Sequence, residues 1–99
     1  MDDMLMDNPV RKFRKERGLS RSDVCRQSGI SYTTLGNIEQ GLVLDITLET
    51  REKLLAFGYP DTIDMDYLKW KEEMEISMGN KTADIIRNKI AYRRRLMDQ

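Results

Sequence analysis

SRSDVCRQSGISYTTLGNIEQG, residues 20–41, predicts two short helices joined by a tight turn. Ser20 is a good N-cap, and Asp23 three residues later completes a capping-box pattern that satisfies free backbone N–H groups. Gly29 stands where the chain must adopt a positive φ between the two helices, which costs glycine little. Ser31 then caps the second helix, so this stretch predicts a helix-turn-helix unit.

The second helix is predicted to run from Tyr32 to Gln40 and to end at Gly41. Leu35 and Ile38 are spaced three residues apart, so both side chains face inward. The remaining residues are expected to lie outward or at the edges of the helix: Tyr32, Thr33, Thr34, Gly36, Asn37 and Gln40.

At these positions the sequence resembles the lambda-repressor/Cro-like (XRE) helix-turn-helix family. The resemblance covers about Pro9 to Tyr59, and the combination of positions is far more specific than any single one. Cys25 replaces the family's common alanine, and Ser28 occupies a usually aliphatic position. The matching residues are Val24, Cys25, Gly29, Ile30, Leu35, Ile38, the pair Arg14 and Glu39, and the helix ending Glu39-Gln40-Gly41.

The resemblance implies an all-α fold, a lambda-repressor-like bundle of about four helices, here with a two-helix C-terminal extension. It also implies that the second motif helix enters the major groove of DNA, where base edges differ. Arg14 and Glu39 are expected to form a partly buried structural pair. Tyr32, Thr33 and Asn37 are the expected base contacts, and the expected phosphate contacts are Ser20, Arg21, Ser31, Thr34 and Gln40. The alternative is that these are ordinary surface polar residues.

The net charge of zero hides blocks of opposite sign. Residues 9–40 hold seven basic and three acidic side chains, a net charge of +4, and residues 81–99 hold six and two, also +4. Residues 61–80 hold two basic and six acidic side chains, a net charge of −4. A positive block that coincides with the motif is what attraction to phosphates requires, whereas the alternative is solvated helix faces.

Composition limits the remaining function classes. Ninety-nine residues make one small domain, and no apolar run approaches the length of a membrane span. The acidic N-terminus lacks a secretory signal, so a cytoplasmic, nucleoid-associated protein is expected. One cysteine and no histidine argue against a disulfide and a zinc site, and no pattern indicates an enzyme or a cofactor.

The chain divides into three predicted parts. Residues 1–8 are expected to be a mobile acidic tail, residues 9–59 the DNA-binding domain and residues 60–99 a helical extension. Asn8-Pro9 predicts the start of the first helix, which runs to about Arg17. A fourth helix is expected over Leu48 to Phe57, with part of the apolar surface moved to Leu42, Leu44 and Ile46.

The extension is predicted to form two further helices that pack on the first half or on a second copy. Thr82 is expected to cap the sixth helix, with an apolar side of Ile85, Ile86, Ile90, Leu96 and Met97. The run Arg93-Arg94-Arg95 either suits the helix C-terminus or acts as a phosphate clamp. In the fifth helix, four side chains form an apolar stripe that is either core or a self-association surface: Tyr67, Trp70, Met74 and Met78.

Three functions compete on these grounds. The leading hypothesis is a sequence-specific transcriptional regulator, a repressor of the repressor/Cro type of bacterial, phage or mobile-element origin, that binds a double-stranded operator as a homodimer. The second is an antitoxin-like or adaptor protein that holds a protein partner through residues 61–99. The third is an architectural factor that bends DNA.

Overall fold

The computed structural model describes residues 7–97 and, within them, an all-α fold without strands. Most of the predicted N-terminal tail, residues 1–6, lies outside the described residues, as does the side chain of Met97. The predicted fold class is confirmed. The helices are α1 (Pro9–Glu16), α2 (Arg21–Ser28), α3 (Tyr32–Glu39), α4 (Leu48–Phe57), α5 (Ile63–Ser77) and α6 (Thr82–Met97).

Side-chain caps start the helices of the first half. The Asn8 carboxamide oxygen accepts hydrogen bonds from the backbone N–H groups of the first turn of α1, and the Ser20 hydroxyl accepts one from Asp23. Asp23 accepts in return from the Ser20 N–H, so the predicted capping box is confirmed. Gly29 has a φ of 83° between α2 and α3, as the turn requires. Thr82 is the first residue of α6 and does not cap it, because that helix starts one residue earlier than predicted.

The main core joins α1 to α5. Val10, Val24, Leu35 and Leu54 are fully buried, and Tyr67 of α5 is buried among the same set. The predicted boundary near residue 60 therefore does not divide the packing, since α5 closes the core of the motif. The extension was predicted to pack either on the first half of the chain or on a second copy. The fifth helix packs on the first half, through α1.

A smaller cluster attaches α6 to α5. It consists of Leu68, Ile86 and Ile90, with Leu44 and Met65 packed against it. The predicted apolar side of α6 is wrong for Ile85 and Leu96, which are about half exposed because the helix turns a neighbouring face toward α5. Among the residues after α3 that were predicted to supply part of the apolar surface, Ile46 is buried, whereas Leu42 is exposed.

Ion pairs also hold α6 in place. The guanidinium of Arg93 donates to Asp45 Oδ2 at 2.6 Å and to Asp64 Oδ2 at 3.0 Å. Arg51 Nε also approaches Asp64 Oδ2, at 3.2 Å. Burial raises the pKa of Asp45, and the charge of Arg93 opposes that rise only in part. Arg93 is thus engaged within the chain, which leaves Arg94 and Arg95 as the exposed members of the basic run.

No helix in the described part of the chain combines the length and the apolar character needed to cross a membrane.

Candidate nucleic-acid interface

The recognition helix, α3, is fixed from one side and open on the other. Leu35 and Ile38 anchor it in the core. Thr33, Asn37 and Gln40 follow one another at steps of four and three residues, so they lie along one line, which we name the reading stripe. Thr33 and Gln40 are exposed and Asn37 is half-buried. Tyr32 is exposed beside this stripe.

Two of the three hydroxyl groups expected to contact phosphates, those of Ser20 and Ser31, also cap the two motif helices. Ser31 Oγ accepts from the Thr34 N–H at 3.0 Å and donates to Thr34 Oγ1 at 2.8 Å. Ser20 Oγ accepts from Asp23 N–H at 3.0 Å. Within the described residues, the hydroxyl protons of Ser20 and Thr34 have no acceptor, so both remain able to donate to an anion beside a helix N-terminus.

A buried carboxylate connects α3 to the two preceding helices. Glu39 has a fully buried side chain, and Arg14 donates to both of its oxygens at 2.8 Å, so the expected structural pair is present. Arg14 also donates to the Leu19 carbonyl at 2.8 Å. Burial acts to raise the pKa of Glu39, but the hydrogen bonds from Arg14 and Arg21 outweigh it and hold that pKa below its usual range.

Arg21 is the second partner of Glu39, which the sequence analysis did not anticipate. Its Nε donates to Glu39 Oε1 at 3.1 Å, and 25% of its side chain stays exposed. The guanidinium lies 5.8 Å from the ring centroid of Tyr32. Its Nη1 and Nη2 make no hydrogen bond within residues 7–97, so these atoms can donate to DNA while Nε holds the side chain in place.

Gly36 is buried and faces the Arg21 guanidinium, so the prediction that it lies outward or at the edge of the helix is wrong. A Cβ at position 36 would stand 3.5 Å from Arg21 Nη1, and the residue is buried. The glycine therefore makes room for an arginine of the same chain.

Asn8 has a second role that no sequence pattern indicates. Its carboxamide nitrogen donates to the carbonyl oxygens of Ile38 at 2.9 Å and Glu39 at 3.1 Å. These carbonyls belong to the last turn of α3, where four carbonyls lack helical partners. One buried side chain thus forms hydrogen bonds with the N-terminus of α1 and with the C-terminus of α3.

The segment after α3 is held by α5. Lys71 Nζ donates to the Gly41 carbonyl at 2.6 Å, and the Tyr67 hydroxyl donates to the Val43 carbonyl. The Trp70 ring lies directly against Gly41. Of the two alternatives for the α5 stripe, the structure agrees with core for Tyr67 and Trp70, because both side chains are buried in the chain's own core. Met74 is partly buried against that core, and Met78 is exposed.

The described residues contain no group of three or more His, Cys, Asp or Glu side chains that could hold a metal ion.

Comparison with known protein families gives a match for the first half of the chain. The helix-turn-helix family model matches residues 10–57, about half of the chain, which cover α1 to α4 apart from Pro9. No curated protein and no solved structure matches the chain significantly. The matched residues carry the capped α2, the turn at Gly29 and the anchored α3. Residues 10–57 therefore belong to the XRE/lambda-repressor-like helix-turn-helix family of DNA-binding regulators.

Proposed function

We propose that the protein is a sequence-specific transcriptional repressor of the Cro type that binds a two-fold double-stranded operator as a homodimer. The observation that carries the proposal is the reading stripe, a polar line on a helix whose opposite side is fixed in the core. A rigid helix with polar side chains on its free side fits the major groove.

Two residues of the reading stripe, Thr33 and Asn37, supply the chemistry of base recognition. The Asn37 carboxamide offers a donor and an acceptor, which suits a bidentate contact with adenine N6 and N7. The Thr33 methyl suits the methyl group of a thymine, and the Tyr32 hydroxyl reaches a base or a phosphate beside it. Each good base contact discriminates by about 1–3 kcal/mol.

The phosphate contacts come from the flanks of the same helix pair. Arg21 offers its free Nη atoms, and the Ser20 and Thr34 hydroxyls stand at the N-terminal ends of α2 and α3. Ser31 and Gln40 complete this set. Such contacts fix the register of the protein on DNA without reading its sequence.

Repression follows from occupancy of the operator. A bound dimer covers the site that polymerase would use, without a cofactor. The proposed setting is the cytoplasm of a bacterium, with a phage or another mobile element as the source of the gene.

Selection of bound sequences from random duplexes tests this proposal. We expect a two-fold motif whose half-sites lie about one helical turn, roughly 34 Å, apart. Asn37→Ala should relax preference at one base pair of each half-site and leave the other positions as they were. Strong bending of several related sites without a defined motif would instead indicate an architectural factor, and the repressor proposal would be abandoned.

A further inference from the structure

An apolar line on α6 belongs to neither core cluster of the described residues. Ile85, Tyr92 and Leu96 are 52%, 56% and 52% exposed. Steps of seven and four residues bring the three side chains to within about 40° of one another around the helix axis. We name this line the α6 stripe. It is about 16 Å long at the usual helical rise, and it lies beside the face through which Ile86 and Ile90 contact α5.

Opposite charges flank the two ends of the α6 stripe. Asp84 and Arg95 are eleven residues apart, which places them on the same flank. The Asp84 side chain is 78% exposed, and its ion pair with Arg87 is long, at 3.4 Å, because Arg87 binds Glu72 at 2.8 Å. Arg95 makes no ion pair within the described residues and lies over the ring of Tyr92. Both charges are therefore available to a partner.

We propose that α6 pairs with α6 of a second copy in antiparallel orientation, about a two-fold axis near residues 90–91. In this arrangement, Ile85 of each copy lies opposite Leu96 of the other, and the two Tyr92 side chains meet near the axis. Asp84 of each copy also meets Arg95 of the other, on the same flank of the pair. Because a two-fold axis repeats every contact, the contact between Ile85 and Leu96 and the ion pair between Asp84 and Arg95 each occur twice in the interface.

The size of the α6 stripe makes this a weak dimer in free solution. Three half-exposed side chains give an apolar patch of a few hundred Å², whereas a standard stable interface buries about 800 Å² on each partner. Two copies bound to adjacent half-sites have a high effective concentration relative to each other, so the two α6 helices pair on the operator although they associate weakly in free solution. In this respect the inference rests on the proposed function, because a two-fold operator supplies that arrangement.

Charge exchange tests the pairing without DNA. Asp84→Arg and Arg95→Glu each place like charges opposite one another, so each variant alone should raise the dimer dissociation constant at least tenfold by sedimentation equilibrium. An equimolar mixture of the two restores both attractive pairs and should recover the wild-type constant. Leu48→Arg is the matched control, because Leu48 is an exposed apolar residue outside the α6 stripe and its substitution should change nothing.

Three results would overturn the pairing. The first is a wild-type chain that stays monomeric up to about 1 mM, the concentration range of very weak binding, which leaves the stripe for another protein. The second is a mixture no better associated than either variant alone. The third is loss of the dimer in the Leu48→Arg control.

Binding to one and to two half-sites separates this inference from the proposed function. Asp84→Arg should bind a single half-site like wild type, because α3 is unchanged, and should lose cooperativity on the full operator. Rescue in the mixture without any sequence-specific DNA binding would support the pairing and refute the repressor. Half-site binding with no rescue would support DNA recognition and refute the pairing.

Discussion

Glu39 is the residue at which three helices meet. It lies on α3 and binds Arg14 of α1 and Arg21 of α2, while Asn8 binds its backbone carbonyl. A buried charge of this kind is costly once a partner is removed, whereas replacement of the whole pair by apolar groups costs little. The orientation of the recognition helix thus depends on one carboxylate.

Removal of Arg14 tests that dependence. Arg14→Met should lower the free energy of unfolding by about 3 kcal/mol, because it leaves Glu39 with Arg21 alone. The double variant Arg14→Met/Glu39→Leu should cost far less. Arg21→Met is the control, with an expected cost of about 1 kcal/mol, since Arg21 makes only one hydrogen bond to Glu39. Urea unfolding of wild type, the single variants Arg14→Met and Glu39→Leu, and the double variant measures the coupling, and additive effects of the two substitutions would contradict the account.

Two carboxylates should respond to pH in opposite ways. The pKa of Glu39 is lowered, so its contribution to stability is present above its ordinary pKa of 4.5 and is lost as the pH falls through the folded value. The pKa of Asp45 is raised above 3.8, so folding favours its protonated form and its contribution declines as the pH rises. In urea unfolding from pH 7 to pH 3, the stability deficit of Glu39→Gln should shrink below about pH 4.5. The deficit of Asp45→Asn should not shrink on acidification, and parallel behaviour of the two variants would contradict the assignment.

Alanine substitutions at two glycines of the motif should have opposite effects on the stability of the protein. Gly36→Ala should stabilise the protein by about 1 kcal/mol, because the residue is helical and its Cβ would make an ordinary 3.5 Å contact with Arg21. Gly41→Ala should destabilise by about 2–4 kcal/mol, because φ is 73° and the Cβ would lie 2.8 Å from the Trp70 ring. Thermal unfolding compares the two variants. Destabilisation by Gly36→Ala would show that Arg21 is packed too tightly to accept a methyl group.

At the scale of helices, local signals predicted α1 to α4 well, and long-range packing decided the rest. Asn8, Ser20 and Ser31 act through neighbouring backbone groups, so their caps could be predicted from the sequence. The contact of Arg21 with Glu39 joins residues 18 positions apart, and no periodicity indicates it. For α6, the sequence indicates apolar positions on two adjacent faces, and only the packing on α5 shows that Ile86 is inside and Ile85 outside.

The fifth helix should be indispensable and the sixth dispensable for folding. A chain that ends at residue 60 loses Ile63, Tyr67 and Trp70 from the main core, so we expect no cooperative unfolding transition. A chain that ends at residue 80 keeps that core and exposes only the small cluster around Leu68. Circular dichroism during thermal unfolding distinguishes the two chains. A cooperative transition in the shorter chain would show that residues 9–60 fold without α5.

Across the whole molecule, the zero net charge conceals a positive surface near the motif. Within the described residues, the basic side chains of Arg11, Lys12 and Lys15 make no ion pair, whereas four ion pairs engage acidic side chains of residues 61–80. Attraction to DNA depends on local phosphate contacts and not on the total charge. We therefore expect operator affinity to fall steeply with salt.

Two arginines should affect that salt dependence differently. Arg21→Gln removes a proposed phosphate contact, so the slope of log K against log salt should fall by about 1 per subunit and all duplexes should be bound more weakly. Arg94→Gln should leave the slope unchanged if the basic run only suits the C-terminus of α6. Fluorescence anisotropy over a salt series on the selected operator measures both. A lower slope for Arg94→Gln would mean that α6 reaches the phosphates, which would place the C-terminal helix at the DNA and not only at a second copy.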